Sequence, residues 1–453
     1  MTDDFEQQFP VTVMDAPEPA PVVAANGGST ETLSGQPGIW QSSPVIEWLI
    51  LDAWRLKTAP EITEELAKKL IETGIPLYRL FVMVPLLHPL YVGSGHIWRR
   101  GVEGIEMAYG EHGARDRPEY QNNPMRHILD EGYAALRRRV GDSYVEGEFP
   151  LVDDLVAEGG TDYVTMPLEF ANGGRAAISF TSDAPEGFSS ENLAVLYNML
   201  PVLARLIERA NLELTAINIL DAYVGHTAGE RILMGQITRG SRDTIYAGIW
   251  FCDLRDFTGL SDAMPRDEMI ALLNSYFETM ADPVLSHGGE VMKFIGDAML
   301  AVFPVDNAQD KPAVCERMLQ AADKAVKGME HLNEERAMFG QNPINYGLAL
   351  HIGQVAYGNI GAAGRLDFTV IGPAVNFAER IEQLCKKVPE RPVLSEDFVR
   401  HCRFPVEQIG EFSLRGLPGT HAIFGRAAAG SHAAVELGAI GTAQTGNGHL
   451  PAS

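Results

Sequence analysis

The 453-residue sequence has only four cysteines, Cys252, Cys315, Cys385 and Cys402, with no CxxC spacing and no clustering with other metal ligands. Such sparse use belongs to a reducing compartment and predicts small buried hydrophobes, not a disulfide or zinc scaffold. Uninterrupted apolar runs are also missing. The most apolar stretch, residues 77–92, is broken by Arg79, Pro85, His88 and Pro89, short of the ~18 residues a membrane-spanning helix needs. The opening MTDDFEQQF has no basic segment followed by an apolar one, so a cytoplasmic protein without a signal peptide is expected. Positive charge is scarce: 36 Lys and Arg stand against 60 Asp and Glu, for a net charge of −24. That field repels nucleic acid and anionic lipid. An anionic substrate would have to be held by a few placed cations and metal ions. Residues 1–44 contain no Lys or Arg and include APEPAPVVAANGGST, and residues 428–453 are rich in Ala, Gly, Ser and Thr. Both segments are expected to be disordered tails.

What remains is ordinary for globular structure, with 45% hydrophobic residues and a length that calls for more than one domain. Residues 45–188 mix a helical pattern, EITEELAKKLIETG, with β-prone runs at LYRLFVMVPLL, TDYVTMPLEF and AAISFTS. Helical stretches separated by strands, with a closing strand before a long helix, resemble an α/β GAF-type sensory domain. The resemblance implies an unknown small-molecule or protein signal there. His88, His96, His112 and His127 lie in this region without paired spacing, so surface or satisfied core histidines are expected. From Ser190, read as a helix N-cap, Leu193, Leu196, Leu200, Leu203, Ile207, Ala210, Leu214 and Ile217 recur at alternating intervals of 3 and 4. That period makes an apolar seam. It fits a two-chain coiled-coil linker over 189–240, kinked near Pro201; the competing reading packs the same helix back on its own sensor domain. The end of this linker, AYVGHTAGERILMGQITRGS, reads as a flexible junction.

Chemistry concentrates in the second half. YAGIWFC is a short apolar strand ending at Asp253, followed by a helix pattern from Pro265. Two further β-prone runs, EVMKFI and AMLAVF, are separated only by Gly296 and Asp297, the spacing of a tight hairpin. If the first strand neighbours the hairpin, Asp253 and Asp297 face each other. Two adjacent carboxylates repel unless a cation lies between them, and Mg²⁺ bound by two carboxylates and substrate phosphates suits their type and number.

The stretches WFCDLRDFTGLSD, GGEVMKFIGDAMLAVF and LDFTVIGPAVNFAERIE, in this order, resemble the catalytic domain of class III nucleotidyl cyclases over residues 241–427. The resemblance implies an α+β, ferredoxin-like or palm-type fold. Asp253, Leu254 and Asp297 would bind two Mg²⁺ or Mn²⁺ ions per site. The main chain of Phe257 and Thr258 would hold the triphosphate, Lys293 would read the purine ring, and Thr369 would fill the second base-reading position, as in one bacterial Thr-type subgroup. Asn376 and Arg380, four apart on one helix face, would stabilise the transition state, and Arg415 would take a triphosphate-binding position usually held by lysine.

The family reaction is attack of the ribose 3′-oxygen on the α-phosphorus with loss of pyrophosphate. Lysine with a hydroxyl acceptor suits adenine, so ATP and 3′,5′-cyclic AMP are expected. One cyclase domain supplies only half of each family site, which implies a homodimer. Guanylate or other nucleotide cyclisation and a silent nucleotide-binding signalling module are the alternatives. A palm-type polymerase or diguanylate-forming enzyme fits less well, because GGEVMKFIGD lacks paired acids at its turn.

Overall fold

The computed structural model describes residues 43–257, 259, 261, 264–388 and 392–427. Nearly all of both expected tails lies outside these residues. Two sheets organise the chain, one before and one after a long helix.

In the first half, helix α1 (Pro44–Leu51) is capped by Ser43, and helix α2 (Ala59–Glu72) opens on a Thr58–Glu61 capping box, which satisfies otherwise orphaned amide groups. Strands β1 (Arg79–Pro85), β2 (Tyr91–Arg99), β3 (Glu106–Glu111), β4 (Leu136–Arg139), β5 (Asp162–Glu169) and β6 (Arg175–Ser182) form one sheet in the order β3-β2-β1-β6-β5-β4. Every pairing in it is antiparallel. The α/β expectation is therefore corrected to α+β: the links between neighbouring strands are hairpins or long excursions, not the crossovers that make parallel sheets. Leu80, Val82, Ile178 and Phe180 on one face join Ile62, Leu66 and Leu70 of α2 in a single core.

Helix α3 spans Ser190–Val224, with Ser189, not Ser190, as its N-cap in a capping box with Asn192. Its seam is divided. Leu196, Leu200, Leu203, Ile207 and Ala210 are buried in the core of the first domain, whereas Leu214 is exposed. Over 196–210 the helix thus packs back on its own domain, and the two-chain seam is corrected for that stretch. The junction is also more ordered than its glycines imply. Helix α4 (His226–Leu233) follows Gly225, and its Thr227 hydroxyl donates to Glu290 at 2.6 Å, while the Tyr357 hydroxyl donates to the other oxygen of Glu290 at 2.9 Å.

The second sheet contains β7 (Arg242–Leu254), β8 (Glu290–Ile295), β9 (Ala298–Val305), β10 (Tyr346–Ala362), β11 (Arg365–Ile371), β12 (Val393–Ser395), β13 (Val406–Ser413) and β14 (Thr420–Arg426). The order is β13-β14-β12-β10-β7-β9-β8, with β11 paired to β10. Only β10 with β12 is parallel, so this domain is mixed α+β. Helices α5 (Arg266–Ser286) and α6 (Lys311–Met338) cover one face, where Tyr276, Met280, Met318 and Ala322 meet Trp250 and Cys252. On the other face Ala374 and Ala378 of helix α7 (Pro373–Glu382) pack with Ile249, Phe251 and Leu300. Among the described residues no helix is long and apolar enough to cross a membrane.

Candidate active site

Strand β7 lies between β10 and β9, and its Asp253 pairs with Ala298, the residue that follows Asp297. The hairpin turn is Gly296–Asp297, closed by Ile295 and Ala298; Gly296 takes φ +64°, a conformation glycine adopts without strain. The two acids therefore converge although 44 positions separate them (297 − 253), and the carboxyls come within hydrogen-bonding reach. Burial first, and then the neighbouring Asp297 carboxylate, push the half-buried Asp253 carboxyl up to about 6. Leu254 is buried at the end of β7.

Among the described residues no group of three or more His, Cys, Asp or Glu forms a metal cage. Two side-by-side carboxylates at a strand end fit a hard divalent cation that takes its remaining ligands from phosphate and water. Asp253 has a folded pKa above its unfolded value, so its contribution to stability is full below pH ~4 and is lost as pH rises through about 6. Metal-free protein is expected to lose on the order of 1 kcal/mol over that window, after allowance for partial solvent exposure. Millimolar Mg²⁺ at pH 7 should restore it in a thermal melt of the wild type and not of Asp297→Asn.

The strand end is anchored from beneath. Arg255 makes a buried ion pair with Glu382 and also donates to the Glu382 carbonyl at 3.0 Å. Gly347, paired with Asp253 across the sheet, leaves the space: a Cβ there would overlap both Glu382 Oε1 and Arg255 Nη2. β7 and α7 are thereby tied together. Sequence reading missed this pair, because 127 residues separate its members; the only local signal was charge at the end of an apolar strand.

Within α7, Ala374, Ala378 and Ile381 are buried, which turns Asn376 outward and leaves Arg380 half-buried. Phe377 fixes the helix by packing its ring against those of His351 and His421, at centroid distances of 4.7 and 5.4 Å. Among the described residues neither the Asn376 nor the Arg380 side chain has a hydrogen-bond or ion-pair partner. Arg415 lies exposed in the loop between β13 and β14, and the next residue, Gly416, brings that loop beside the Arg380 guanidinium. Two cations far apart in sequence thus share one end of the sheet.

Lys293 on β8 is not free. It pairs with Asp367 of β11, 74 residues away. Thr369, two residues further along β11, is buried, and its hydroxyl finds no partner among the described residues. The Lys293–Asp367 pair thus links β8 to β11, strands that hydrogen-bond to different neighbours, β9 and β10. Phe257 packs its ring partly against the core of the second domain, and Thr258 lies outside the described residues. Asp256 is exposed with φ +56°, the only non-glycine residue with positive φ among those described. Its left-handed conformation turns the chain sharply between β7 and Phe257.

Residues 241–425 match the family model of the adenylate and guanylate cyclase catalytic domain. That segment contains all three motif stretches and both Asp253 and Asp297. An adenylate cyclase of Anabaena cylindrica is 37% identical over 180 residues, covering 39% of this chain and 34% of the relative. The terminal-differentiation-specific adenylate cyclase of Dictyostelium discoideum is 31% identical over 171 residues, covering 37% of this chain and 8% of the relative. The chain thus spans about a third or less of the length of these curated relatives. Among solved structures, the guanylyl cyclase Cya2 aligns with a TM-score of 0.37 and 26% identity, covering 41% of this chain and 92% of the other.

Proposed function

We propose that the protein is an adenylate cyclase that converts ATP to 3′,5′-cyclic AMP and pyrophosphate in sites shared by two chains. The observation that carries this reading is the convergence of Asp253 and Asp297 at the end of β7. Asp253, Asp297 and the main chain of Leu254 would hold two divalent ions. When bound, Mg²⁺ or Mn²⁺ supplies acidity to the ribose 3′-hydroxyl and neutralises charge on the leaving phosphates.

The chain's own groups do the rest. Backbone amides at Phe257 and Thr258 receive the triphosphate, with Arg415 as a further cation. Thr369 accepts from the exocyclic amine of adenine, and its partnerless hydroxyl is suited to that role. Lys293 donates to a ring nitrogen, with Asp367 holding its ammonium in place. Asn376 and Arg380 stabilise the transition state, with Arg380 compensating charge growing on the pentacoordinate α-phosphorus. The 3′-oxygen forms the new bond to phosphorus, the bond to the bridging oxygen of pyrophosphate breaks, and the hydroxyl proton leaves to water.

Dimerisation is supported by apolar side chains left exposed around the hairpin and the β10–β11 arm: Phe294, Ile295, Leu366 and Ile371. The first domain, with its antiparallel sheet and closing strand before α3, serves in this reading as a GAF-like sensor. Its signal would reach the catalytic domain through α3 and the Thr227–Glu290 contact. Incubation of the purified protein with ATP, GTP, CTP or UTP and Mn²⁺, with mass spectrometry of the products, tests the reading. Cyclic AMP from ATP at least tenfold faster than any other cyclic product is expected. A preference for GTP would overturn the assignment of Thr369, and no cyclic product from any nucleotide would overturn the enzyme.

A further inference from the structure

The second half of α3 carries an apolar stripe that no described residue covers. Leu212 is 57% exposed, Ile219 37% and Tyr223 85%, and Ala216 between them is half-buried. Their spacing is 4, 3 and 4, the alternation that keeps one helix face against a partner helix. This is not the seam expected over 193–217. With about 3.6 residues per turn, the stripe lies roughly opposite Leu196, Leu200, Leu203, Ile207 and Ala210, which the first domain buries. Leu214 and Ile217, the last two residues of the expected seam, line a cavity of the first domain. Helix α4 meets α3 on a third side, where a Cβ on Gly229 would come within 3.0 Å of Leu220 Cβ and 3.2 Å of Asp221 Oδ1. Carried backward, the spacing of the stripe reaches Arg209 and Arg205. The apolar face thus begins where the cover from the first domain ends.

We propose that this stripe docks on the same stripe of a second copy of the chain, as a parallel two-helix seam of about three turns. The proposal rests on the two-chain reading of the catalytic site, which brings two second domains together just beyond α3 and α4. Helices that enter such a pair on the same side run alongside each other. Charge favours the same occupant. In a parallel seam each residue faces its own copy, so a charge there would meet a like charge. Residues 214–220, LTAINIL, carry none, in a chain with 21% charged residues. They also offer no charged group by which a different protein would be selected. A seam this short does not hold two chains alone; it sets the register of the two α3 helices. Because each first domain packs on the opposite side of its helix, the pair carries its first domains outward.

The test is oxidative cross-linking of the full chain with one added cysteine on either face. Ile219→Cys lies on the proposed stripe, and Ile217→Cys lies on the face expected from the sequence. Cys252, Cys315 and Cys385 are buried, and the wild type gives the background. Diamide is expected to link Ile219→Cys into a covalent dimer at least ~tenfold faster than Ile217→Cys, because only cysteines that face each other meet disulfide geometry. Ile219→Asp should weaken the dimer at least ~tenfold in sedimentation equilibrium, since two carboxylates would oppose each other. Equal linking at the two positions, faster linking at 217, or an Ile219→Asp dimer as tight as wild type would each overturn the proposal and leave the shared catalytic site standing. A wild type that sediments only as a monomer would overturn both.

Discussion

Arg380→Ala is expected to lower kcat for cyclic nucleotide formation by about 10³–10⁵, the range over which arginines stabilise phosphoryl-transfer transition states, with KM for ATP nearly unchanged. The guanidinium is half-buried on the outward face of α7 and has no protein partner among the described residues. Nothing in the fold relies on it, so the melting temperature should stay within the scatter of surface substitutions. A loss confined to kcat marks an interaction made only in the transition state. A large rise in KM with intact kcat would instead make Arg380 a ground-state phosphate ligand. Arg380→Lys should recover little, because a point charge cannot replace the planar fork across the phosphoryl oxygens.

Gly347→Ala carries the largest expected effect on stability. The new Cβ would occupy the space of the Arg255–Glu382 pair, whose side chains are 10% and 2% exposed. Parting them breaks a buried ion pair, at about 3–5 kcal/mol. Chemical denaturation should show this as a lowered midpoint, accompanied by loss of activity through displacement of Asp253. Gly364→Ala serves as a control, since a Cβ there meets nothing within 4 Å. Equal stability of the two variants would show that the pair does not brace the strand. Replacing both charges together, as Arg255→Met with Glu382→Leu, should cost less stability than Gly347→Ala, because the desolvation of the pair is removed along with its attraction.

The parts of the site legible from sequence are those whose signal is local. An apolar run ending in Asp253 and two β-prone runs split by Gly296–Asp297 announce a strand and a two-residue hairpin, and both are present. Their convergence was conditional on the first strand neighbouring the hairpin, and the pairing of β7 with β9 supplies that condition. Contacts between charges far apart leave no such trace: Lys293 with Asp367 and Arg255 with Glu382 depend on which strands and helices become neighbours. The seam of α3 shows a different limit. A period of 3.5 states that one helix face is buried and says nothing about what buries it; from Leu196 to Ala210 the cover is the chain's own sheet. Likewise, runs of apolar residues identify strands without revealing direction, which is why the first domain's fully antiparallel sheet was not foreseen.

The most direct test of shared sites is to mix two inactive variants. Asp253→Ala chains keep Arg380, and Arg380→Ala chains keep Asp253, so each heterodimer contains one intact site and one doubly damaged site. Each variant alone should be inactive, and an equimolar mixture, exchanged by mild denaturation and refolding, should regain about a quarter of wild-type activity per chain, given random pairing. A mixture that forms heterodimers, verified by differential tagging, yet stays as inactive as its components would contradict a site assembled from two chains.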